Sequence, residues 1–165
     1  MKKVILILGL LITISFGATL EEATIAYNKG DYQTSKTIFE DLASKGDATA
    51  QYNLGVMYDF GKGVKQDYFK AKEWYEKAAN QGHASAQYNL GVMYDFGKGV
   101  KQDYFKAKEW YEKAANQGHV VAQFNLGVMY DFGKGVKQDY FKAIKWYEKA
   151  ANQGHVNAQY NLGIM

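Results

Sequence analysis

The sequence predicts an all-α solenoid built from stacked helix-turn-helix units. The stretch of residues 50–83 returns unchanged at residues 86–119, and a third copy at residues 122–155 differs at only three positions. This period of 36 residues lies in the range of repeat proteins whose units stack to bury one continuous core. The chain contains 17 glycines and no proline, which favours uninterrupted helices joined by glycine-bearing turns.

Residues 1–18 have the features of a cleavable signal peptide. A Lys-Lys pair precedes a largely apolar run of 13 residues, and Gly17 and Ala18 follow. This order of basic, apolar and small residues is typical of a secretory leader. A membrane anchor is the alternative, but crossing a bilayer takes roughly 20 apolar residues. We therefore expect cleavage near Gly17 or Ala18, export to the periplasm or out of the cell, and no stable membrane span afterwards.

Residues 19–47 are predicted to form a separate N-terminal hairpin. Apolar positions at helical spacing indicate two helices, residues 20–29 and 32–45, and Gly46 ends the second as a C′ glycine. Terminal repeats of a solenoid are usually atypical because they cap the core, so we interpret this hairpin as the N-terminal cap. The residues predicted to face inward are Leu20, Ala23, Tyr27, Ile38, Leu42 and Ala43.

The first helix of each repeat, called helix A, is predicted to cover about residues 48–60 of the first copy. Its buried stripe has the spacing i, i+4, i+7, i+8 and consists of Ala50, Leu54, Met57 and Tyr58. Gly55 lies beside that stripe. A glycine inside a helix costs about 1 kcal/mol relative to alanine, so its return every 36 residues indicates that a neighbouring helix packs too closely for a methyl group.

A Gly-Lys-Gly-Val turn at residues 61–64 joins helix A to the second helix, called helix B. Two glycines permit positive φ in this turn, and Val64 is expected to fold back beneath it. Asp67 is the predicted N-cap of helix B, which extends to about residue 81 before Gly82 ends it. The inward stripe of helix B is Tyr68, Ala71, Trp74, Tyr75 and Ala78, and the outward face carries the pairs Lys72–Glu76 and Glu73–Lys77.

The repeated pattern A-Q-x-x-L-G-x-M-Y-x-x-G-x-G-V-x-x-D-x-x-K-A-x-x-W-Y-x-K-A-A-x-Q-G resembles the Sel1-like repeat, a relative of the tetratricopeptide repeat. In the first copy the pattern is carried by Ala50, Gln51, Leu54, Gly55, Met57, Tyr58, Gly61, Gly63, Val64, Asp67, Lys70, Ala71, Trp74, Tyr75, Lys77, Ala78, Ala79, Gln81 and Gly82. The resemblance implies a right-handed αα superhelix that acts as a protein-interaction scaffold, of the exported bacterial type. It divides the chain into a tetratricopeptide-like cap at 19–47, repeats at 48–83, 84–119 and 120–155, and helix A of a partial fourth repeat at 156–165.

The same resemblance raises an enzymatic alternative. Some cysteine-rich members of the family are described as penicillin-binding or β-lactamase-like, and they carry a cysteine pair in each repeat. This chain has no cysteine, and none of Ser35, Ser44 and Ser85 is followed three residues later by the lysine of an S-x-x-K motif. A catalytic triad also needs different residues that converge on one point, whereas copied repeats supply the same residues at separate points. We therefore predict no enzyme and no catalytic residues.

The repeat also favours no metal, cofactor or nucleic acid. His83, His119 and His155 stand one per period, too far apart to share a zinc ion, whose bonds to nitrogen are about 2 Å long. Asp47 takes the equivalent place in the first hairpin, so these residues are predicted to be helix N-caps. The glycine turn lacks the spacing and the Ser or Thr of a phosphate-binding loop. Without the two lysines of the leader, 18 basic residues face 17 acidic ones, which gives no electrostatic footprint for nucleic acid.

The predicted binding surface is the part of helix A that remains outside the buried stripe. The resemblance places helix A on the concave side, where repeat proteins bind their partners. Aromatic side chains provide contact area and amides pair with a partner's backbone, so an extended or helical protein segment is the expected ligand. The alternative is that Val56 and Phe60 pack against the neighbouring repeat. The predicted binding residues are Tyr52, Asn53, Asp59 and Phe60, then Tyr88, Asn89, Asp95 and Phe96, then Phe124, Asn125, Asp131 and Phe132.

The residues leave two further partners open. Tyrosine and tryptophan platforms also suit sugars, which makes peptidoglycan the second class of ligand. Trp74, Trp110 and Trp146 belong to the predicted inward stripe, however, and this argues against it. The sequence reaches residue 165 within a fourth helix A, so self-association through an uncapped C-terminal end is also expected, since solenoids expose apolar surface at uncapped ends.

Overall fold

The computed structural model describes residues 18–165, so the predicted signal peptide, apart from Ala18, lies outside the described residues. Residues 18–165 form nine α-helices and no strand, which confirms the predicted fold of repeating helix-turn-helix units. The helices are α1 (Leu20–Asn28), α2 (Tyr32–Ser44), α3 (Ala48–Phe60), α4 (Tyr68–Asn80), α5 (Ala84–Phe96), α6 (Tyr104–Asn116), α7 (Val120–Phe132), α8 (Tyr140–Asn152) and α9 (Val156–Ile164). Helix A of the repeats is α3, α5, α7 and α9, and helix B is α4, α6 and α8.

The helices stack in chain order, because each packs mainly against the helices before and after it. The core crosses the repeat borders. Tyr75 and Ala78 of α4 share one buried cluster with Leu90 and Met93 of α5, and the equivalent cluster joins α6 to α7. Helix B of one repeat is therefore covered by helix A of the next, which is how a small unit without a core of its own becomes stable in a solenoid.

The helix ends follow the predicted capping residues. Asp67 accepts hydrogen bonds from the backbone N–H groups of Phe69 and Lys70, at 3.0 and 3.1 Å, and these groups have no partner within the helix. Gly82 adopts the left-handed conformation, with φ of 89°, and the N–H of His83 donates to the carbonyl of Ala78. This Schellman arrangement ends helix B.

The predicted core of helix A is nearly right. Ala50, Leu54 and Met57 are buried, but Tyr58 is only half-buried. The ring of Tyr58 lies at the edge of the stripe, where the Nζ of Lys70 approaches its centroid to 5.3 Å. An aromatic ring with a cation on its face can remain partly exposed at little cost.

The predicted core of α2 omits its most important residue. Phe39 is 1% exposed and Ser35 is also buried, whereas the predicted Ile38 and Leu42 are half-buried. Ser35, Phe39 and Ala43 follow one another at four-residue spacing and form the buried line of this helix. The helix packs against both α1 and α3, so its apolar face is wider than a single stripe and Phe39 lies at its centre.

The turn between helix A and helix B is held in place on both sides. Gly61 and Gly63 have φ of 65° and 69°, as expected from the Gly-x-Gly motif, and Val64 packs against the core beneath the turn. The Gln66 side chain donates to the Asp59 carbonyl at 2.7 Å. A Cβ on Gly63 would clash with Tyr32 of the preceding hairpin, so this glycine also sets how closely successive units approach.

The outward face of helix B differs from the prediction in two respects. Lys72 and Glu76 form an ion pair with an Nζ–Oε1 distance of 2.6 Å, as expected. The Nζ of Lys77 instead lies 3.9 Å from the ring centroid of Trp74, and no ion pair with Glu73 is found in residues 18–165. Trp74 is half-buried rather than buried. Its ring packs against the buried cluster that includes Phe39 and Leu54 and is also covered by a lysine of its own helix.

Candidate functional site

The twelve predicted binding residues lie along α3, α5 and α7, but they fall into an inner and an outer group. Tyr52, Asn53 and Asp59 are half-buried in the first repeat, whereas Phe60 is exposed. The same division returns one and two periods later. We call the surface formed by these residues the helix-A surface, and its inner members are built into the stack.

The aromatic residue of the inner group is clamped between two rings. The ring of Tyr52 stacks on the imidazole of His83, with centroids 4.7 Å apart, and meets Tyr75 at 5.9 Å. In the third repeat Phe124 takes the same place against His155, at 4.4 Å. The hydroxyl of Tyr52 is therefore dispensable for the stacking, and the ring mainly joins helix A to helix B and to the next repeat.

The aspartate of the inner group is paired with a buried tyrosine. The hydroxyl of Tyr75 donates to Oδ2 of Asp59 at 3.2 Å, and Tyr75 is fully buried. Burial raises the pKa of Asp59, while the hydrogen bond from Tyr75 and the charge of Lys98 lower it. Burial is also the main cause that raises the pKa of Tyr75 far above its usual value. The result is a fixed, half-buried carboxylate at the end of each helix A.

The asparagines complete this cluster from the following repeat. The amide of Asn89, in α5, opposes the rise in the pKa of Tyr75 through hydrogen bonding, and Asn125 does the same for Tyr111. Asn53 is different, because its amide donates to the Thr49 carbonyl of its own helix at 3.0 Å. The preceding helix B carries Phe39 at the tyrosine position, so Asn53 has no hydroxyl to meet.

The phenylalanines of the outer group are the most accessible members of the helix-A surface. Phe60, Phe96 and Phe132 are 64%, 66% and 67% exposed. The alternative that Phe60 packs against the neighbouring repeat is therefore wrong. Val56 does pack there, because it contacts the buried cluster of α4 and α5.

The histidines are N-caps, as predicted. Nδ1 of His83 accepts a hydrogen bond from the backbone N–H of Ala86 at 3.3 Å, and His119 caps α7 in the same way. Asp47 makes the equivalent bond to Ala50 at 2.8 Å. Burial lowers the pKa of His83 and His119, which favours the neutral imidazole that an accepting Nδ1 requires. Residues 18–165 contain no group of three or more His, Asp and Glu side chains that would hold a metal ion.

A row of buried glutamines was not predicted. Gln87 donates to the Ala79 carbonyl of the preceding helix B at 3.1 Å and accepts from Nε2 of Gln117 at 2.7 Å. Gln51 and Gln123 make equivalent contacts. The signal in the sequence was the glutamine that follows the first buried alanine of every helix A, a polar residue on the buried side of an amphipathic helix.

A second row of phenylalanines was also not predicted. Phe69, Phe105 and Phe141, in the first turn of helix B, are 71%, 71% and 82% exposed. In the sequence, Phe69 shares a helix face with Glu73 and Glu76, which already indicated solvent exposure. Phe69 lies beside Gly97 and Gly99 of the next turn, and Phe105 beside Gly135.

The family model of the Sel1 repeat matches residues 48–83, 84–119, 120–155 and 156–165. The chain belongs to the Sel1 repeat family. Sel1 repeat proteins are generally non-catalytic scaffolds for protein interactions. None of the helices within residues 18–165 has the length and apolar character needed to cross a membrane.

Solved structures agree with this assignment. A Sel1 repeat protein from Oxalobacter formigenes is 34% identical, with a TM-score of 0.85, over 88% of this chain and 60% of that one. A protective antigen present in uropathogenic Escherichia coli strains, with an SLR fold, is 36% identical, with a TM-score of 0.83, over 88% of this chain and 32% of that one. Helicobacter pylori cysteine rich protein B is 25% identical, with a TM-score of 0.59, over 90% of this chain and 98% of that one. This Sel1 repeat chain therefore spans less than two thirds of the first two structures, and no curated protein sequence matches it.

Proposed function

We propose that this Sel1 repeat protein is an exported, non-catalytic scaffold whose helix-A surface binds a segment of a partner protein. The observation that carries the proposal is the row formed by Phe60, Phe96 and Phe132, apolar side chains about two-thirds exposed at the same place in three successive repeats. Exposed aromatic side chains suit contact with a partner, because aromatic residues are enriched at protein–protein interfaces.

The inner residues supply a rigid base for that row. Each aspartate is held by a buried tyrosine hydroxyl, so its carboxylate is already oriented as an acceptor before a partner arrives. Preorganised polar groups reduce the entropy that binding must overcome. A partner's backbone N–H groups are the donors that such carboxylates suit, with the phenylalanines receiving its apolar side chains.

The repeat spacing limits the kind of partner. Neighbouring helices pack 8–10 Å apart, so equivalent residues of successive repeats are separated by about 10–20 Å. An extended chain advances about 3.3 Å per residue, which means that one apolar side chain every three to six residues, roughly, would meet each phenylalanine in turn. A helical segment advances about 1.5 Å per residue, so it would need an apolar side chain about every seven to thirteen residues. The proposed ligand is an extended or a helical segment with the corresponding spacing.

Photo-crosslinking tests this surface in cells. A photoreactive phenylalanine analogue at residue 96 is expected to capture one or a few proteins, because the ring is 66% exposed. The same analogue at residue 109, an exposed position on the outward face of α6, is the matched control. Equal capture from residues 96 and 109, or none from residue 96, would refute the proposed surface.

Export is the second part of the proposal. The leader has the composition of a signal peptide, and the folded body begins directly after it. Thr19 caps α1 in a reciprocal capping box, in which the Thr19 N–H donates to Oε2 of Glu22 at 2.9 Å and the Glu22 N–H to Oγ1 of Thr19 at 3.2 Å. Intact-mass measurement of the protein from a cell-envelope fraction is expected to show a chain that starts near residue 18 or 19. A full-length mass in the cytoplasmic fraction would contradict export.

The two other classes of activity are tested with the same purified protein. A β-lactamase-like hydrolase would cleave a chromogenic cephalosporin, and we expect no cleavage above that of buffer. Peptidoglycan binding would bring the protein down with sedimented cell wall. The half-buried tryptophans carry lysines over their rings, at 3.9 Å for Trp110 and 4.0 Å for Trp146, so these faces are already occupied and we expect no sedimentation.

Self-association is proposed for the apolar surface of α9. Val156, Tyr160 and Ile164 are 72%, 67% and 67% exposed, and Tyr160 stands where Tyr52 is clamped by a histidine and a tyrosine in the first repeat. Sedimentation velocity of this chain is expected to show concentration-dependent dimers, and Tyr160→Ser is expected to reduce them. A monomer at all concentrations would contradict self-association.

A further inference from the structure

Successive glycine turns enclose an open groove that no part of the proposed function uses. Between the first and second repeats it has a volume of about 1020 Å³. Its apolar lining includes Tyr58, Phe69 and Val100, and its basic lining includes Lys65 and Lys101. We call this space the turn groove. A smaller space of about 470 Å³ lies one repeat later, between Phe105 and the turn that contains Val136 and Lys137.

The shape of the turn groove is fixed by glycine packing. Gly99, in the turn of the second repeat, lies against the first turn of α4, and a Cβ at this residue would be 2.7 Å from Cβ of Tyr68 and 2.9 Å from its carbonyl oxygen. Only glycine fits so close to a neighbouring backbone. The turn is therefore held against the helix below it, and the groove is formed before any ligand binds.

The groove is apolar at its centre and basic at its rim. Phe69 is 71% exposed on one side, and the ring of Tyr58 lies beneath Nζ of Lys70. Each turn segment, such as residues 59–70, contains three lysines and two aspartates. The three lysines of each copy are exposed.

The aspartates of the turn segment offset only two of its three lysines, and other groups already hold both of them. Asp67 is committed to the helix cap through two backbone N–H groups, and Asp59 accepts from the buried Tyr75. Within the described residues, one turn lysine forms an ion pair, Lys142 with Asp139 at 3.5 Å. The outward face of helix B, by contrast, balances Lys72 and Lys77 with Glu73 and Glu76. The positive excess of the first two repeats is thus concentrated along the turns.

We propose that the turn grooves form a second binding surface, which takes an acidic protein segment with apolar side chains at intervals. Apolar side chains would enter beside Phe69 and Phe105, and carboxylates would meet the lysine rims. Charge complementarity of this kind sets the choice of partner and the rate of encounter. A nucleic acid fits less well, because an excess of about one positive charge per turn is small for phosphate binding.

Fluorescence anisotropy with defined probes tests the proposal on the purified protein. The probe is a fluorescein-labelled peptide of four Asp-Glu-Leu units, and it is compared with four Lys-Arg-Leu units, four Asp-Glu-Ser units and a 12-nucleotide single-stranded DNA. We expect the Asp-Glu-Leu peptide to bind most tightly, and we expect its affinity to fall as salt is added. Absence of binding, or equal binding of the Lys-Arg-Leu or Asp-Glu-Ser peptide, would overturn the proposal. Tighter binding of the DNA would overturn it in favour of a nucleic-acid site.

Four sets of variants locate the binding and separate it from the helix-A surface. Reversal of the rim charges, or removal of the rings, is expected to lower the affinity for the Asp-Glu-Leu peptide about tenfold or more. The rim set is Lys65→Glu, Lys101→Glu and Lys137→Glu, and the ring set is Phe69→Ser, Phe105→Ser and Phe141→Ser. The charge-matched control is Lys77→Glu, Lys113→Glu and Lys149→Glu, and the helix-A control is Phe60→Ser, Phe96→Ser and Phe132→Ser.

Both control sets are expected to leave the affinity of the peptide within about twofold. All substituted residues are exposed, and far-UV circular dichroism confirms that each variant is folded. A loss of affinity in the charge-matched control equal to that in the rim set would overturn the turn-groove site. A loss of affinity in the helix-A control alone would overturn the turn-groove site and show that the acidic peptide binds to the helix-A surface. Failure of the crosslinking at residue 96 has no bearing on these measurements, so the two proposals fail separately.

Discussion

The backbone of Gly91 in α5 lies directly against the phenol ring of Tyr111 in α6. A methyl group at residue 91 would overlap the ring carbons Cδ1 and Cε1 of Tyr111. Tyr111 is fully buried and its hydroxyl donates to Asp95, so the ring has no room to move aside. The same glycine and tyrosine meet in the first and third repeats, and this contact sets how closely helix A and helix B approach.

The first prediction is that Gly91→Ala destabilises the protein. Alanine would gain about 1 kcal/mol of helix propensity, but the clash with a fixed ring is expected to cost about 1–3 kcal/mol more than that gain. Urea denaturation followed by far-UV circular dichroism measures the change. Gly163→Ala is the control, because a Cβ at residue 163 would have nothing within 4 Å. If both variants are equally stable, the close contact does not exist in solution.

The second prediction concerns the buried glutamine row. Gln87→Leu removes the bond to the Ala79 carbonyl and leaves the Gln117 amide without its acceptor. We expect a loss of about 1–3 kcal/mol, since a buried polar group deprived of its partner costs this much. Gln159→Leu is the matched control: Gln159 makes the same kind of bond to Ala151, at 3.2 Å, but in an exposed setting. Equal effects of the two substitutions would show that burial of the network is unimportant.

The fold was predictable because helical periodicity, glycine turns and N-caps are local properties of the chain. Asp67 and His83 could be assigned as caps from their position one residue before a helix, and the structure confirms both. The glycine of helix A pointed to a close neighbour, although nothing local identified Tyr75 as that neighbour. Contacts between different helices depend on how the helices stack. The residue pattern of a single helix carries no information about that arrangement.

The candidate site was predictable only in part for the same reason. The twelve residues of the helix-A surface were chosen because they lie outside one helix's stripe, but Asp59 and Asn89 also contact the adjacent helix B and are half-buried. The sequence around Phe69 predicts a charged, solvated face of helix B and gives no sign of a binding surface there. Its neighbours across the turn groove, such as Val100, come from the next repeat, and only the stacked structure brings them together.

The third prediction is that acidification weakens the fold through its histidine caps. His83 and His119 have pKa values lowered by burial, so between the lowered pKa and about 6.5 the unfolded chain binds more protons than the native one. We therefore expect stability to fall as the pH drops from about 7.5 to 5.5. Thermal melting at several pH values measures it. Asp47, the acidic group that faces His83, opposes part of the effect by raising its pKa.

The chain itself supplies the control for this pH dependence. Asp47 caps α3 as the histidines cap their helices, and a carboxylate stays charged above pH 5.5. The double variant His83→Asp, His119→Asp is expected to lose stacking against Tyr52 and Tyr88 but to show a flatter stability curve over the same pH range. A slope as steep as that of the unmodified protein would rule out these two histidines as its cause.

The fourth prediction is that Tyr111→Phe raises the pKa of Asp95 and destabilises the protein in a pH-dependent way. Burial already raises the pKa of Asp95, and the hydrogen bond from Tyr111, 3.2 Å long, opposes that rise. Without the hydrogen bond from Tyr111, the half-buried carboxylate of Asp95 loses a donor that stabilises its charged form. Its pKa is therefore expected to rise further, which an NMR titration measures. A folded-state pKa above the unfolded value favours folding only at low pH. The substitution should therefore cost about 1–2 kcal/mol at pH 7 and less at pH 3, where Asp95 is protonated.

The control is Tyr94→Phe, which removes a hydroxyl from the residue next to Asp95 and keeps the Tyr111–Asp95 hydrogen bond. It is expected to leave the pKa of Asp95 unchanged. An unchanged pKa in Tyr111→Phe would mean that the tyrosine does not orient this carboxylate.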